Sequence, residues 1–439
     1  FDKRKILDII KPTPEERRAI SEVTAEIKKC IERSAQESSI KVEVVPGGST
    51  AKGTFLKGDF DIDLFVRFQT EDTDLSQLLE IILGDCCEQK GFLLKRVHGS
   101  RDYFNFTYKG FFFEIVPVKA ISDIKEANNV TDMSPLHVIW VQDKLTETIK
   151  DDIMITKQFC KANGTYGAES YINGFSGHVI DILVIHHGGF EPLLQAASTW
   201  KRKQVIDPEQ AHDNPYQALN KSKLHSPLIV IDPIDPYRNA AAALSAEQFK
   251  RFIDSANRFL KHPSNDFFTV IPYEKNRLVK RRKQGEALFL INIIPHVGKK
   301  DVVGMKVMKI FQFLKRHLQL HEFTITHSKW WFDKNESKIA LYVKDKELSP
   351  EVTRQGPPVS KTEDAKRFRK AHENVFETHD ILYATIPRQF VNPKTCIRHL
   401  LTQPYVSERC KEYHLDIIDD KKKQNEEANG KKKDNTQSS

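Results

Sequence analysis

Two short stretches with strand-like patterns lie near the start of the chain, and a glycine-rich segment separates them. Residues 41–45 (KVEVV) alternate polar and apolar side chains, as a half-buried strand does, and residues 62–68 (IDLFVRF) form a second, mostly apolar run. Between them, Gly47-Gly48-Ser49 has the composition of a turn that leads into a helix. The pattern therefore predicts a strand, a Gly-Ser turn with a short helix, and a second strand.

Helical and hairpin patterns surround these strands. Residues 13–16 (TPEE) form a capping box with proline at the first helical position, so a helix is predicted from there to about residue 34. A second amphipathic helix is predicted over residues 75–87, and residues 103–108 and 111–118 predict a hairpin. Together these elements predict a sheet with helices packed on it.

Helical periodicity dominates the middle of the chain, and a mixed pattern follows it. The predicted helices of the middle part are 134–149, 153–162, an apolar helix that opens at residues 174–177 and runs to His187, and 245–261. After a charged boundary between about residues 262 and 286, the predicted order is strand 287–294, helix 302–318, strands 323–332 and 337–344, helix 362–373, strand 380–385 and helix 394–401. This order is typical of a ferredoxin-like or RNA-recognition-like α+β unit.

Composition narrows the class of protein. The 439 residues carry a formal net charge of +8, which suits a polyanionic partner. None of the six cysteines lies in a Cys-x-x-Cys pair, so they are predicted to be reduced core thiols, and no zinc site is implied. The longest apolar runs are strand-sized and no signal-peptide pattern begins the sequence, so we expect a cytoplasmic protein without a membrane partner.

Three carboxylates are candidate metal ligands. Asp61 and Asp63 are two residues apart at the start of the second strand, so both side chains point to one face of the sheet. Glu114 lies in the apolar run FFFEIVPV, where an acidic residue is costly to bury unless it binds a metal or is otherwise paired. An isolated Asp-x-Asp is usually a loop or a solvated strand face, but here a Gly-Ser phosphate-binding turn precedes it. The combination predicts a Mg²⁺ site beside a phosphate site.

This combination resembles the nucleotidyltransferase head of the DNA polymerase β superfamily, which includes poly(A) polymerases, oligoadenylate synthetases, and tRNA and small-molecule nucleotidyltransferases. Further segments resemble the archaeal-type (class I) CCA-adding enzymes, a family of tRNA nucleotidyltransferases. The order and approximate spacing of these segments agree with the family to about residue 260. In the last third of the chain the pattern of helices and strands agrees more than the residue identities do. The matching segments are Gly48-Ser49-x-Ala51-Lys52, Leu56-Lys57-Gly58, Asp61-Ile62-Asp63, Glu114-Ile115-Val116-Pro117, Ser134-Pro135-Leu136-His137, residues 161–169 (KANGTYGAE), 174–177 (GFSG) and 232–239 (DPIDPYRN).

The resemblance implies an α+β multidomain fold and a reaction. The implied parts are a polymerase β-like catalytic head over residues 1–136, a helical nucleotide- and base-binding neck over 137–262, a tRNA-binding, RNA-recognition- or ferredoxin-like body and tail over 263–418, and a disordered lysine-rich tail over 419–439. The implied enzyme adds C, C and A to the tRNA 3′ end from CTP and ATP without a nucleic-acid template. It would do so by two-metal phosphoryl transfer that releases pyrophosphate. Enzymes of this kind are often homodimers, so a homodimer is a further expectation.

The resemblance also assigns residues by position. The catalytic carboxylates and Mg²⁺ ligands would be Asp61, Asp63 and Glu114. The residues that would contact CTP or ATP are Gly48, Ser49, Lys52, His137, Lys157, Tyr166 and Arg238, of which Arg238 would help to recognise the incoming base. The basic residues expected to hold the tRNA acceptor arm are Arg277, Lys280, Arg281, Arg282, Arg367 and Arg369.

Two positions depart from the family pattern, and two alternatives stay open. Lys52 stands where the family often has arginine, and Glu114 stands where it usually has aspartate. The extra methylene moves the carboxylate outward by roughly one C–C bond, about 1.5 Å, although glutamate can still bind Mg²⁺. A poly(A)- or oligo(A)-type RNA nucleotidyltransferase would incorporate ATP alone. A catalytically inactive tRNA-binding protein would bind tRNA without turnover.

Overall fold

The computed structural model describes residues 1–70, 74–99 and 101–420, and these form two compact units that meet in sequence between Ile271 and Pro272. The predicted domain boundaries remain predictions, and most of the predicted disordered stretch (419–439) lies outside the described residues. Within the described parts, no helix is both long and apolar enough to cross a membrane.

The first unit contains a mixed sheet followed by a mainly helical part. Its helices are α1 (Lys3–Ile10), α2 (Pro14–Glu37), α3 (Gly48–Lys52), α4 (Leu75–Lys90), α5 (Ser134–Lys144), α6 (Glu147–Ala162), α7 (Gly177–His187), α8 (Phe190–Ala197), α9 (Pro215–Ala218) and α10 (Ala246–Lys261). Its strands are β1 (Val42–Pro46), β2 (Ile62–Phe68), β3 (Lys95–Val97), β4 (Tyr103–Tyr108), β5 (Phe111–Lys119), β6 (Gln204–Ile206) and β7 (Leu228–Val230).

The five-stranded sheet has the order β1-β2-β5-β4-β3, in which β2 and β5 are parallel neighbours. Helices α2 and α4 pack on it through a fully buried apolar cluster that includes Ile27, Ile31, Leu79 and Phe113. The predicted capping box begins α2: the Thr13 hydroxyl accepts from the Glu16 amide at 3.2 Å, and the Glu16 carboxylate accepts from the Thr13 amide at 2.7 Å. The predicted strands, hairpin and helices of this region are confirmed.

The helical part of the first unit differs from the prediction at one point. The helix predicted over residues 134–149 is two helices, because Leu145 adopts an extended conformation and ends α5. Thr146 then caps α6 by accepting a hydrogen bond from the Ile149 amide at 3.2 Å. A threonine that can cap a new helix competes with helix continuation, and the apolar periodicity on either side conceals the break.

The second unit contains two antiparallel sheets. Its helices are α11 (Lys275–Arg281), α12 (Lys300–Leu320), α13 (Thr362–Ala371), α14 (Pro393–Leu401) and α15 (Pro404–Ser407). Its strands are β8 (Glu286–Ile294), β9 (Ile325–Trp331), β10 (Ser337–Lys344), β11 (Glu351–Pro358), β12 (Asn374–Thr378), β13 (Ile381–Pro387) and β14 (Glu412–Ile418). The mixed α+β class predicted for this region is confirmed.

The assignment of strands to sheets in the second unit differs from the expected single α+β unit. The sheets have the orders β14-β8-β10-β9 and β11-β13-β12, so the strand predicted at 380–385 belongs to a separate three-stranded sheet. The nearly all-buried β8 needs a neighbour on both sides, and β14 supplies the second one. No local pattern shows which distant strand will occupy that position.

Candidate active site

Three carboxylates meet where two parallel strands of the five-stranded sheet lie side by side. Asp61 immediately precedes β2, and Asp63 is the second residue of that strand. Asp63 is in register with Glu114 on β5, so the two side chains are neighbours on one face of the sheet. The structure therefore brings together the three residues that the sequence predicts as metal ligands.

Asp63 and Glu114 are partly removed from water, Asp61 is exposed, and the three charges repel one another. Burial and the charge of Asp61 raise the pKa of Asp63 to about 6, which Lys52 partly opposes. Burial and the charges of Asp63 and Asp61 raise the pKa of Glu114 to about 7. A divalent cation stabilises carboxylates that are forced together in this way, and an all-oxygen ligand set suits Mg²⁺. The residues present fit such an ion.

The Gly-Ser segment lies directly against the carboxylate cluster. Gly48 has a φ of +57°, and a Cβ atom there would lie 1.6 Å from Asp63 Oδ2, so only glycine fits. The Gly47 amide donates to the Asp63 carbonyl at 2.8 Å, which fixes the turn to β2. Ser49 follows in the five-residue helix α3, at the end of which lies Lys52. The predicted phosphate contacts and metal ligands are thus adjacent.

Two lysines from different elements converge on one buried aspartate. Lys52 at the end of α3 forms an ion pair with Asp181 on α7, and Lys157 Nζ on α6 lies 3.5 Å from the same carboxylate. Lys157 also donates to the Thr54 carbonyl at 3.2 Å and to its hydroxyl at 3.0 Å. Asp181 is fully buried; burial alone would raise its pKa, but Lys157 and Lys52 lower it. Burial lowers the pKa of Lys157 to about 8, against the attraction of Asp181.

Tyr166 lies beside this group. Its ring is contacted by the Lys161 ammonium, 4.5 Å from the ring centroid, and its hydroxyl is 3.3 Å from the position of a Cβ atom at Gly177. The same position is 3.9 Å from Lys157 Cε. The start of α7 therefore meets Lys157 and Tyr166, two of the residues predicted to contact nucleotide.

The last two predicted nucleotide contacts share a second buried aspartate. Asp232 Oδ1 accepts from His137 Nε2 at 2.8 Å, and Asp232 Oδ2 is in contact with the Arg238 guanidinium. His178, the second residue of α7, lies 3.5 Å from the same carboxylate. Helix α7 connects the residues around Asp232 with those around Asp181, because it carries both His178 and Asp181.

Sequence reasoning missed Asp181, Asp232 and His178 as parts of the site. Asp181 lies in the apolar helix GHVIDILVIHH, and an acidic residue in such a run is the same signal that identified Glu114. Asp232 belongs to a segment that matches the family, but the resemblance assigns it no role. His178 carries no local signal that separates it from any other histidine.

Comparisons with known proteins agree with this arrangement along the chain. Family profiles match in succession: a nucleotidyltransferase domain (residues 27–127), the second domain of tRNA nucleotidyltransferases (151–269) and the C-terminal domain of CCA-adding enzymes (299–410). The CCA-adding enzyme of Methanothermobacter thermautotrophicus is 30% identical over 92% of this chain and 88% of the relative. The chain belongs to the CCA-adding enzyme family.

Further relatives cover the chain to a similar extent. The CCA-adding enzyme of Methanocaldococcus jannaschii is 31% identical over 88% of this chain and 87% of the relative. The CCA-adding enzyme of Nanoarchaeum equitans is 34% identical over 79% of this chain and 84% of the relative. Membership of the CCA-adding family confirms the predicted resemblance and the predicted enzyme class, a CCA-adding tRNA nucleotidyltransferase. Nucleotidyltransferases with this polymerase β-like domain are typically metal-dependent.

A solved structure of similar fold is the poly(U) polymerase Cid1 with Mg and 3′-dATP bound. It superposes with a TM-score of 0.50 at 14% identity and covers 61% of this chain and 98% of that chain. At such low identity the likeness shows the fold alone. The predicted polymerase β-like head is confirmed by the nucleotidyltransferase-domain match over residues 27–127, while the predicted role of each residue remains a prediction.

The basic residues that the CCA-adding resemblance suggests for tRNA contact fall into two groups by exposure. Arg277, Lys280 and Arg281 are exposed on α11, and Arg367 and Arg369 are exposed on α13. The side chain of Arg282 is only 6% exposed, and its guanidinium donates at 2.7 Å to the Glu286 carbonyl and to Asp420. In the described structure Arg282 therefore fixes the chain around β8 instead of facing solvent.

Proposed function

We propose that this member of the CCA-adding family extends the tRNA 3′ end by C, C and A, using CTP and ATP and releasing pyrophosphate. The observation that carries the proposal is the pairing of Asp63 with Glu114 on parallel strands, directly against Gly48. A cytoplasmic location and a homodimer remain predictions.

Asp61, Asp63 and Glu114 would hold Mg²⁺. When bound, Mg²⁺ stabilises charge on the attacking and leaving oxygens of an in-line displacement. Glu114, the longer carboxylate, comes from β5 and would approach the ion from the strand beside Asp63. As a carboxylate expected beside the tRNA 3′-hydroxyl, Glu114 would be placed to accept the proton of that hydroxyl.

Lys52 and Lys157 would bind the triphosphate. Two ammonium groups share the single carboxylate of Asp181, which leaves a net positive charge beside the Gly-Ser turn. That excess charge suits phosphate oxygens, which Ser49 and the neighbouring backbone would also contact. Asp181 keeps both lysines in place when no nucleotide is bound.

His137, Tyr166 and Arg238 would contact the nucleoside. The Arg238 side chain is 32% exposed and planar, so it can donate to a base edge while one nitrogen stays with Asp232. Cytosine N3 and adenine N1 are hydrogen-bond acceptors, whereas uracil N3–H and guanine N1–H are donors. A fixed guanidinium donor therefore favours CTP and ATP over UTP and GTP.

The exposed arginines and lysine of α11, with Arg367 and Arg369 of α13, would hold the tRNA by its phosphates. Double substitution Arg277→Ala/Arg281→Ala should weaken tRNA binding and lower the slope of log Kd against log salt by about 2. Arg282→Ala is the matched control, since its buried side chain should alter the melting temperature and leave the salt slope unchanged. A salt slope unaffected by the double substitution would remove α11 from the tRNA surface.

The test of the proposed function is nucleotide addition to tRNA transcripts that end before CCA, after C and after CC. Each transcript is supplied with CTP, ATP or both in the presence of Mg²⁺. We expect completion to CCA and then arrest. Open-ended addition of A would indicate a poly(A)-type enzyme. Binding of all three transcripts without extension would indicate an inactive tRNA-binding protein.

A further inference from the structure

One fully buried carboxylate, that of Asp232, is shared by two residues that the proposed function places against the nucleotide. Its Oδ1 accepts from His137 Nε2 at 2.8 Å and from the amides of Ile234 and Asp235 at 2.9 and 3.2 Å. Its Oδ2 is in contact with the Arg238 guanidinium. The two oxygens therefore have different partners, and only Oδ2 contacts the arginine.

The backbone of this turn is fixed without Oδ2. The Asp232 amide donates to the Arg238 carbonyl at 3.0 Å, and the Arg238 amide donates to the Asp235 carbonyl at 2.9 Å. The buried Asn239 side chain accepts from the Val230 amide at 3.0 Å and from the Ala241 amide at 2.9 Å. These bonds set the position of the Arg238 Cα atom, so the contact with Oδ2 serves to orient the side chain.

Orientation matters for Arg238 because its guanidinium is planar. One nitrogen, Nη1, contacts Asp232, while Nε and Nη2 make no hydrogen bond with any residue that the structure describes. A guanidinium held at one nitrogen presents its other donors in one plane and direction. Without that anchor, the four rotatable bonds of the side chain would spread the donors over many directions.

A cation site is the competing explanation of this cluster. Ligand atoms of His137, His178 and Asp232 all lie within 4.8 Å of one another, so they could hold a metal ion. The Arg238 guanidinium, however, is in direct contact with Asp232 Oδ2, and its positive charge opposes the binding of a metal cation by the same carboxylate. The arrangement therefore favours hydrogen bonding over metal binding.

We propose that Asp232 is a positioning residue that sets the choice of incoming base by fixing the Arg238 guanidinium, with His137 held by the same carboxylate. The inference rests on the proposed function, because it assigns the determinant of base choice within that reaction. Asp232 itself contacts neither the base nor the reacting atoms.

The test is Asp232→Asn. The asparagine oxygen can keep the Oδ1 bonds to His137 and to the two amides, but its NH₂ group faces the guanidinium and cannot accept from it. We expect the kcat/KM preference for CTP over UTP on tRNA lacking CCA, and for ATP over GTP on tRNA ending in CC, to fall about 10-fold. The matched control is Asp235→Asn, which lies in the same turn and contacts neither His137 nor Arg238 through its side chain.

A double substitution separates positioning from general damage. If Asp232 acts through Arg238, Asp232→Asn/Arg238→Ala should have the same base preference as Arg238→Ala alone. Should Asp232→Asn fail to fold, Arg238→Lys keeps the aspartate and removes the planar fork, and the same loss of preference is expected. Unchanged preference in Arg238→Lys would overturn the inference.

Other outcomes have distinct meanings. Equal losses for all four nucleotides in Asp232→Asn, at constant ratios, would overturn the positioning role while the proposed function stands. Stoichiometric Zn²⁺ binding by the wild type that is lost in Asp232→Asn, with base preference intact, would replace the inference with a metal site. A wild-type protein that extends none of the transcripts would overturn the proposed function, and the inference with it.

Discussion

The site contains carboxylates of two opposite kinds. Asp63 and Glu114 lie beside each other and beside Asp61, so charge repulsion adds to burial and their pKa values are raised. Asp181 and Asp232 are more deeply buried, yet cations and hydrogen-bond donors surround them and their pKa values are lowered. The comparison teaches that the first pair has the electrostatics that the proposed Mg²⁺ site requires, because a cation from outside the chain would relieve its repulsion. The second pair already has its partners and serves to hold other residues.

The largest expected effect concerns activity. Asp63→Asn keeps the shape of the side chain but removes a charge from the cluster, and we expect the rate of nucleotide addition to fall by at least about 1,000-fold. Glu88→Gln, an exposed carboxylate on α4, is the matched control and should leave the rate unchanged. Retention of a tenth of the wild-type rate by Asp63→Asn would contradict the assignment of this cluster to the metal.

The next effect concerns stability and should separate the two kinds of carboxylate. Asp181→Asn leaves the Lys52 and Lys157 ammonium groups buried without their common anion, so the free energy of unfolding should fall by about 3 kcal/mol. Asp254→Asn, which removes one partner of an exposed pair with Lys250, should cost about 0.5 kcal/mol or less. Urea unfolding in the absence of metal measures both, and equal losses would show that Asp181 is not an anchor.

The pH dependence of stability should differ in sign between the mutually repelling carboxylates, Asp63 and Glu114, and the paired carboxylate of Asp181. Asp63 and Glu114 titrate near pH 4 in the unfolded chain and at about 6 and 7 when folded, so the folded state binds more protons between these values. Their contribution therefore destabilises the metal-free protein progressively as the pH rises from about 4 to about 7, and it is nearly constant above that. The lowered pKa of Asp181 contributes stability that is present above pH 4 and is lost only below it.

Melting curves of metal-free protein at pH 5 and pH 8 test this difference. The stability of Asp63→Asn relative to the wild type should increase by about 2 kcal/mol over that interval, since the variant lacks the repulsive charge. The stability of Asp181→Asn relative to the wild type should instead stay constant between pH 5 and pH 8. Added Mg²⁺ should stabilise the wild type more at pH 8 than at pH 5, because protons compete with the ion. A relative stability of Asp63→Asn that is independent of pH would contradict the repulsion.

The smallest effect concerns the length of the third carboxylate. Glu114→Asp restores the residue usual in the family and shortens the side chain by one methylene, on the order of 1.5 Å. Because the side chain is flexible and Mg²⁺ keeps water ligands, we expect the rate at saturating Mg²⁺ to change by less than about 10-fold. Complete loss of activity in Glu114→Asp would show that the strand positions are adapted to glutamate.

Features made by neighbouring residues were predictable. The capping box of Thr13 and Glu16, the hairpin of β4 and β5, and the spacing of Asp61 and Asp63 all depend on hydrogen bonds or periodicities within a few residues. The break at Leu145 also depends on a local bond, from the Ile149 amide to Thr146, but the apolar periodicity on either side conceals it. The separate sheet that contains β13 was not predictable from local patterns, because distant strands compete for the same neighbour.

The sequence by itself determined the three carboxylates, the Gly-Ser turn and the family resemblance, because each is a short pattern with its own chemistry. Tertiary structure alone decided which buried anions hold the predicted nucleotide contacts. Lys52 and Asp181 are 129 residues apart in the chain, and His137 and Asp232 are 95 residues apart. Such pairs form only when packing removes both partners from water, since burial makes an unpaired charge costly and so requires its distant partner.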